Sequence, residues 1–287
     1  MAGTIIGLIR QSIAAFLADD ALSHGAAIAY YTIFSLAPVL LIAIAIAGLA
    51  FGQDAAQGAI VDQLSGLMGQ QSAEALQSML KSAAGARSST LATAIGLITL
   101  LVTATGVFAE IQTSLNAIWR AAPRRSTVSR LIRARLVSLG LILALGFLLT
   151  VSLAFSAALA ALGNYLNGIL PAIRLLLHIA NFIISFALMA LLFAAIYKFL
   201  PDTSIAWRDV AIGAVATALL LTVGKSLIGL YIGSSRVASS YGAMGALIVI
   251  LLWVYYSAEI FLLGAEFTKC YAHSHGSRAA ARSTRRT

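Results

Sequence analysis

The chain has 287 residues, 60% of them hydrophobic and only 10% charged. Soluble domains carry about 25% charged residues, so this chain lacks the polar surface to cover a water-soluble fold. A mean hydropathy of +0.94 excludes disorder, collagen and coiled coil as well, which leaves an integral membrane protein. The net charge of +9 would suggest nucleic acid in a soluble chain. In a membrane chain the placement of the basic residues matters more than their sum. The single cysteine, Cys270, excludes an intramolecular disulfide and any multi-cysteine metal cluster.

Residues 1–25 open with an amphipathic stretch. Ile5, Ile9, Ile13, Phe16 and Leu17 recur at helical spacing, and Arg10, Gln11 and Ser12 interrupt the apolar run. That pattern argues against a signal peptide and for a helix lying in the cytoplasmic membrane interface. Residues 26–268 form the membrane domain. A bilayer needs about 20 apolar residues per helix, and six stretches qualify: Ala26 to Phe51, Leu91 to Phe108, Leu136 to Leu159, Leu175 to Phe199, Asp209 to Ile232 and Met244 to Phe267. The predicted fold is therefore an all-α membrane protein, a bundle of six transmembrane helices.

Within that domain, residues 52–90 carry two helical apolar patterns, Ile60, Val61, Leu64, Leu67 and Met68, then Leu76, Met79 and Leu80. They predict a short helical external cap. Residues 109–135 read as a basic cytoplasmic loop and 269–287 as a basic, disordered cytoplasmic tail. Gly48 and Gly52 form a G-x-x-x-G pair, which predicts a face for close helix contact.

Orientation follows from the Lys and Arg residues between spans. Fourteen fall on the side of both termini, four (Lys81, Arg87, Arg174 and Arg236) on the other, and Lys225 lies inside the fifth span. This asymmetry predicts an N-in, C-in topology. The partners it implies are membrane lipids, whose anionic headgroups meet the cytoplasmic face. No aromatic residues interleave with the basic ones as a single-strand binder needs, so no nucleic-acid partner is expected. A homo-oligomer is compatible with the pattern.

Ionisable residues inside spans are functional candidates by default. Lys225 stands about 24 Å from the cytoplasmic start of its span and Glu259 about 12 Å from the cytoplasmic end of its own, at 1.5 Å per residue, so the two are at different depths. Lys225 is expected to snorkel outward. Tyr255, Glu259 and Glu266 share one helical face, while Glu110 and Lys198 close the second and fourth spans at the same side. Glu259 is expected to face the bundle interior, with Lys198 or a Tyr hydroxyl as partner. In the first span, Tyr30 and Tyr31 precede Pro38, which removes a backbone donor near mid-membrane and breaks the helix there. The candidate cavity and coupling residues are thus Glu259, Glu110, Lys198, Tyr30, Tyr255 and Glu266, with Pro38 as the helix break.

No Walker sequence, H-E-x-x-H or G-x-S-x-G is present, and His24, His178, His273 and His275 are scattered along the chain. No catalytic residue, cofactor or metal is expected, and the chain does not read as an enzyme.

The order of motifs resembles the YihY/BrkB family of bacterial inner-membrane proteins. The carrying segments are AAIAYYTIFSLAPVLL (26–41), TGVFAEIQTSLNAIW (105–119), YKFLPD (197–202) with WRDVAIGA (207–214), and SYGAMGALIVILLWVYYSAEIFLLGAEFT (240–268). The resemblance implies a multi-pass protein of the bacterial inner membrane, similar to proteins named as virulence factors. An older label, ribonuclease BN, attaches to the family. The residues argue against it, because nuclease chemistry needs clustered carboxylates or histidines with metal. The expected function is a transporter or translocator of a small solute or amphiphile, working through a cavity near the first, second and sixth spans. The alternative is a non-catalytic membrane scaffold that organises envelope partners or lipid.

Overall fold

The structure, a computed structural model, describes residues 2–68, 70–85, 106–121, most of 136–159, 172–234 and 243–278. In chain order the helices are α1 (Ala2–Ala18), α2 (Ala21–Phe51), α3 (Gln53–Met68), α4 (Gln70–Gly85), α5 (106–119), α6 (Leu139–Leu159), α7 (Ala172–Phe199), α8 (Trp207–Ser234) and α9 (Ala243–Ser274). No strand occurs among the described residues.

Among the described residues, four segments are long and apolar enough to cross a membrane: α6, Ile179–Phe199, Trp207–Gly229 and Gly245–Ser274. Their outer faces carry exposed apolar side chains such as Phe147, Phe182, Leu219 and Leu227, as helices bathed in lipid do. The first predicted span supplies a fifth as two segments, Ala21–Ala37 and Val39–Phe51, set 46° apart across Pro38. Proline lacks the N–H that would bond one turn back, so the helix bends where the sequence places it. The second predicted span lies outside the described residues as far as residue 105.

The bundle core gathers at one end, where Leu115 and Ile118 of α5, Tyr197 of α7, Val210 of α8 and Leu262 of α9 pack together. α9 is the central helix, lying against α8, α2 and α1.

Residues 52–85 differ from a simple cap. Gly52 takes φ 84° and its N–H bonds Gly48 O at 2.9 Å, so the chain reverses sharply into α3. A Cβ on Gly48 would stand 3.1 Å from Gln53 Cγ. The two glycines thus serve this turn, where only glycine tolerates the backbone, in place of the helix–helix face expected from their spacing. α3 and α4 then fold back along the bundle. Ala56, Ile60 and Leu80 bury against Ala37, Leu40 and Ile44 of α2, and Leu76 packs with Ala29 of α2 and with Ile250 and Val254 of α9. The apolar spacing is the predicted one, but its partners are the flanks of α2 and α9.

α1 presents three faces, as a helix turning about 100° per residue permits. Leu8 and Ser12 are buried, while Ile6, Ile9, Ile13 and Leu17 form an exposed apolar stripe. Gln11, Ala15 and Ala18 lie on the edge opposite that stripe. The tail also departs from its expected disorder over residues 269–278. α9 continues to Ser274, and Ser277 then bonds the fully buried carboxylate of Asp209 through its N–H at 3.2 Å and its hydroxyl at 2.6 Å. Arg278 donates to Thr203 and stacks 4.9 Å above the Trp119 ring. These partners lie 68 and more residues away, beyond the reach of local composition.

Candidate functional site around the start of α2

Two consecutive residues at the start of α2 meet acids from two other helices. His24 turns toward α5, its Nδ1 3.9 Å from Glu110 Oε1. Gly25 faces α9. A Cβ built on Gly25 would stand 2.0 Å from Glu259 Oε1 and 2.7 Å from the carboxyl carbon, so the carboxyl group fills the space any other residue would need. Both Glu259 oxygens are buried and accept no hydrogen bond among the described residues. Tyr255, one turn earlier on α9, is its polar neighbour, the hydroxyl interacting with the carboxylate without reaching good hydrogen-bond geometry. An uncompensated buried carboxylate is costly, and native proteins leave few such groups without a reason.

The other predicted site residues go elsewhere. Lys198 does not reach Glu259, because its ammonium donates to Ile205 O and lies 5.3 Å from the centre of the Trp207 ring. Both partners belong to the α7–α8 corner. Glu266 is fully buried and bonded by Lys269 Nζ at 3.0 Å. Tyr30 is 61% exposed and packs edge-on against Tyr31 and Phe34 on the outer face of α2. Lys225 is exposed. The structure therefore joins Glu110, Glu259 and Tyr255 through His24 and Gly25, and leaves Lys198, Glu266 and Tyr30 apart from them.

A second polar group pins the α1–α2 elbow. Lys269 also donates to Asp19 at 2.5 Å, and Arg120 lies 3.6 Å from the same carboxylate. Burial raises the Asp19 pKa, but the Lys269 hydrogen bond and the nearby positive charges outweigh it and hold the group below its usual 3.8. A depressed folded value means the stabilisation is present above 3.8 and is lost as pH falls through the folded pKa. Asp19→Asn should therefore cost about 1–3 kcal/mol at neutral pH, read as a lower Tm. The difference from wild type should close in acid below 3.8; an unchanged Tm at neutral pH would contradict the assignment.

Comparison with known proteins identifies the group this arrangement comes from. The family profile described as virulence factor BrkB matches residues 12–287. The chain belongs to this family. Among similar proteins, a UPF0761 membrane protein of Alcanivorax borkumensis is 30% identical over 274 residues, covering 91% of this chain and 58% of the relative. Another, from Rhodospirillum centenum, is 28% identical over 268 residues, 92% and 57%. A third, from Chromohalobacter salexigens, is 32% identical over 272 residues, 91% and 62%. The chain thus spans about six-tenths of the length of the relatives it matches. No solved structure matches it.

The segments that carry the BrkB resemblance meet one another in space. Asn116 of α5 clasps Asp202, accepting its N–H at 2.8 Å and donating to its carboxylate at 2.9 Å, and Gln112 donates to Leu200 O at 3.0 Å. From α7, the Tyr197 hydroxyl donates to Phe261 O at 2.7 Å and lies 3.0 Å from the Thr217 hydroxyl. Residues 112–116, 197–202, 207–217 and 259–266 therefore form one hydrogen-bonded end of this BrkB-family bundle. Sequence reading misses His24, Gly25 and Asn116 as members of these groups. Only the quoted motif TGVFAEIQTSLNAIW hints at the last.

Proposed function

We propose that this BrkB-family protein translocates a small solute or amphiphile across the bacterial inner membrane, with Glu259 as its titratable coupling group. The observation that carries the reading is the Glu259 carboxyl group, buried in the space left by Gly25 with Tyr255 beside it and no well-formed hydrogen bond among the described residues. Such a group needs a proton or a passing cation to neutralise it, and binding and release of that charge is what coupled transport uses. The bend at Pro38 supports the same reading, since broken helices recur at transport sites. No hydrolytic chemistry is proposed. On this reading both termini lie in the cytoplasm and the basic residues meet anionic headgroups.

Gly25→Ala tests the carrying observation, because the added methyl must displace the flexible Glu259 carboxyl group while the backbone stays put. The variant should accumulate in the membrane and fail to complement a deletion strain; full complementation would contradict the role given to this contact. Topology is tested separately. Reporter fusions after Trp119 and after Lys269 should read cytoplasmic, and one near Gly69 external. An external reading after Lys269 would overturn the orientation.

The scaffold reading retains one supporting observation, the densely satisfied network of Gln112, Asn116, Tyr197 and Asp209, which suits a rigid platform. Normal complementation by Glu259→Gln would favour it.

A further inference from the structure

A cleft of about 620 Å³ lies between α1, the end of α5 and the last turns of α9, lined by Gln11, Asp19, Trp119, Arg120, Lys269 and Cys270 among others. Its size suits a small solute, since ligand sites run from roughly 300 to 1,000 Å³. The α1 residues that line it, Gln11, Ala15 and Ala18, stand on the edge opposite the exposed stripe of Ile6, Ile9, Ile13 and Leu17. If the stripe meets lipid, the cleft opens to water.

Arg120 is the unusual member. It follows α5 at φ 48°, and the bonds Arg120 N–H to Ala117 O at 3.1 Å and Ala121 N–H to Asn116 O at 2.9 Å close the helix end around it. Glycine normally occupies such a left-handed position, and a residue that carries a Cβ is strained there. Yet the guanidinium is 81% exposed, and the ion pair it makes among the described residues, to Asp19 at 3.6 Å, is too long for a hydrogen bond. Its donors are thus unused among the described residues. Lys269 beneath it is already neutralised by Asp19 and Glu266, and Gln11 on the rim is exposed. Arg278, stacked on Trp119, adds a second positive charge beside the wall. Strain retained at an exposed arginine with free donors points to a ligand for that arginine, and a guanidinium fork matches a phosphate.

We propose that this cleft binds a small phosphate-bearing anion, with Arg120 as its principal ligand and Gln11 on its rim. The site is independent of Glu259 and of transport.

Cys270, the chain's single cysteine, lines the cleft and is partly exposed, so its labelling by a maleimide reports occupancy. The full chain is placed in phosphatidylcholine nanodiscs and labelled with and without millimolar inorganic phosphate. Phosphate should slow labelling several-fold in the wild type and not in Arg120→Gly. The glycine variant removes the backbone strain, so its Tm should equal or exceed that of wild type. Arg120→Lys, which keeps the charge but loses the fork, should show weaker protection at an unchanged Tm. In discs containing phosphatidylglycerol, Arg120-dependent slowing without added phosphate would confirm the anion site and assign its source to a lipid headgroup. No protection by either anion, or equal protection in wild type and Arg120→Gly, would overturn the proposal. A lowered Tm for Arg120→Gly with no change in protection would show that Arg120 serves only its pair with Asp19.

Discussion

Gly264→Ala is expected to be strongly destabilising. A Cβ at position 264 would stand 1.9 Å from Thr217 Oγ1, 2.9 Å from Thr217 Cβ and 2.8 Å from the Tyr197 hydroxyl. Neither neighbour can yield. Thr217 is β-branched, fully buried, and bonded back to Gly213 O at 2.8 Å, while Tyr197 is 1% exposed and fixed to Phe261 O. Overpacking of this kind costs about 1–3 kcal/mol, and driving the Tyr197 hydroxyl off its acceptor adds about 1–3 kcal/mol for a buried unsatisfied group. Membrane abundance and Tm should both fall sharply. Gly58→Ala, where a Cβ meets nothing within 4 Å, should stay near wild type. Thr217→Ala should partly rescue Gly264→Ala by vacating the contested space, a coupling that a double-mutant cycle measures. A Gly264→Ala chain with wild-type Tm would contradict the packing of α7, α8 and α9 described above.

The second large effect concerns function at nearly constant stability. Glu259→Gln keeps the shape of the side chain and removes its charge and titration. It is expected to insert and accumulate normally and to lose complementation completely. Glu259→Leu should behave alike, because no hydrogen-bond partner among the described residues is stranded by the change. Of the two partners the sequence offers, Lys198 or a Tyr hydroxyl, Lys198 bonds Ile205 O instead and is not stranded. A fall in abundance for the leucine variant alone would reveal a structural pairing.

How much of this was legible before folding depends on the range of each interaction. The apolar stretches that became α6 to α9, the bend at Pro38 and the helical spacing of residues 56–80 are local properties of composition and period, and they appear in the sequence. The presence of an acid at Glu259 is legible for the same reason, since a carboxylate in an apolar run is visible alone. Its neighbour is not. Gly25 contributes an absence of side chain, and no pattern in residues 20–30 announces that a helix more than 230 residues later needs that space. Lys198 looks like the natural partner by charge, yet the short α7–α8 connection turns its ammonium back onto Ile205 O. Likewise, Lys269 and Ser277 lie in a Ser- and Arg-rich segment that reads as disordered. Asp19 and Asp209, both distant in sequence, are what fix them. The direction of α3 and α4 is hidden for a related reason: spacing reveals an apolar face but not which helix covers it.

On the proposed function, Glu259 gains and loses a proton during each transport cycle. Purified protein in liposomes loaded with a pH-sensitive dye, under an imposed pH gradient, tests it most directly. Wild type should conduct protons, and Glu259→Gln, reconstituted at equal density, should fall to the rate of empty liposomes. Equal proton flux through both would contradict a titrating role for Glu259.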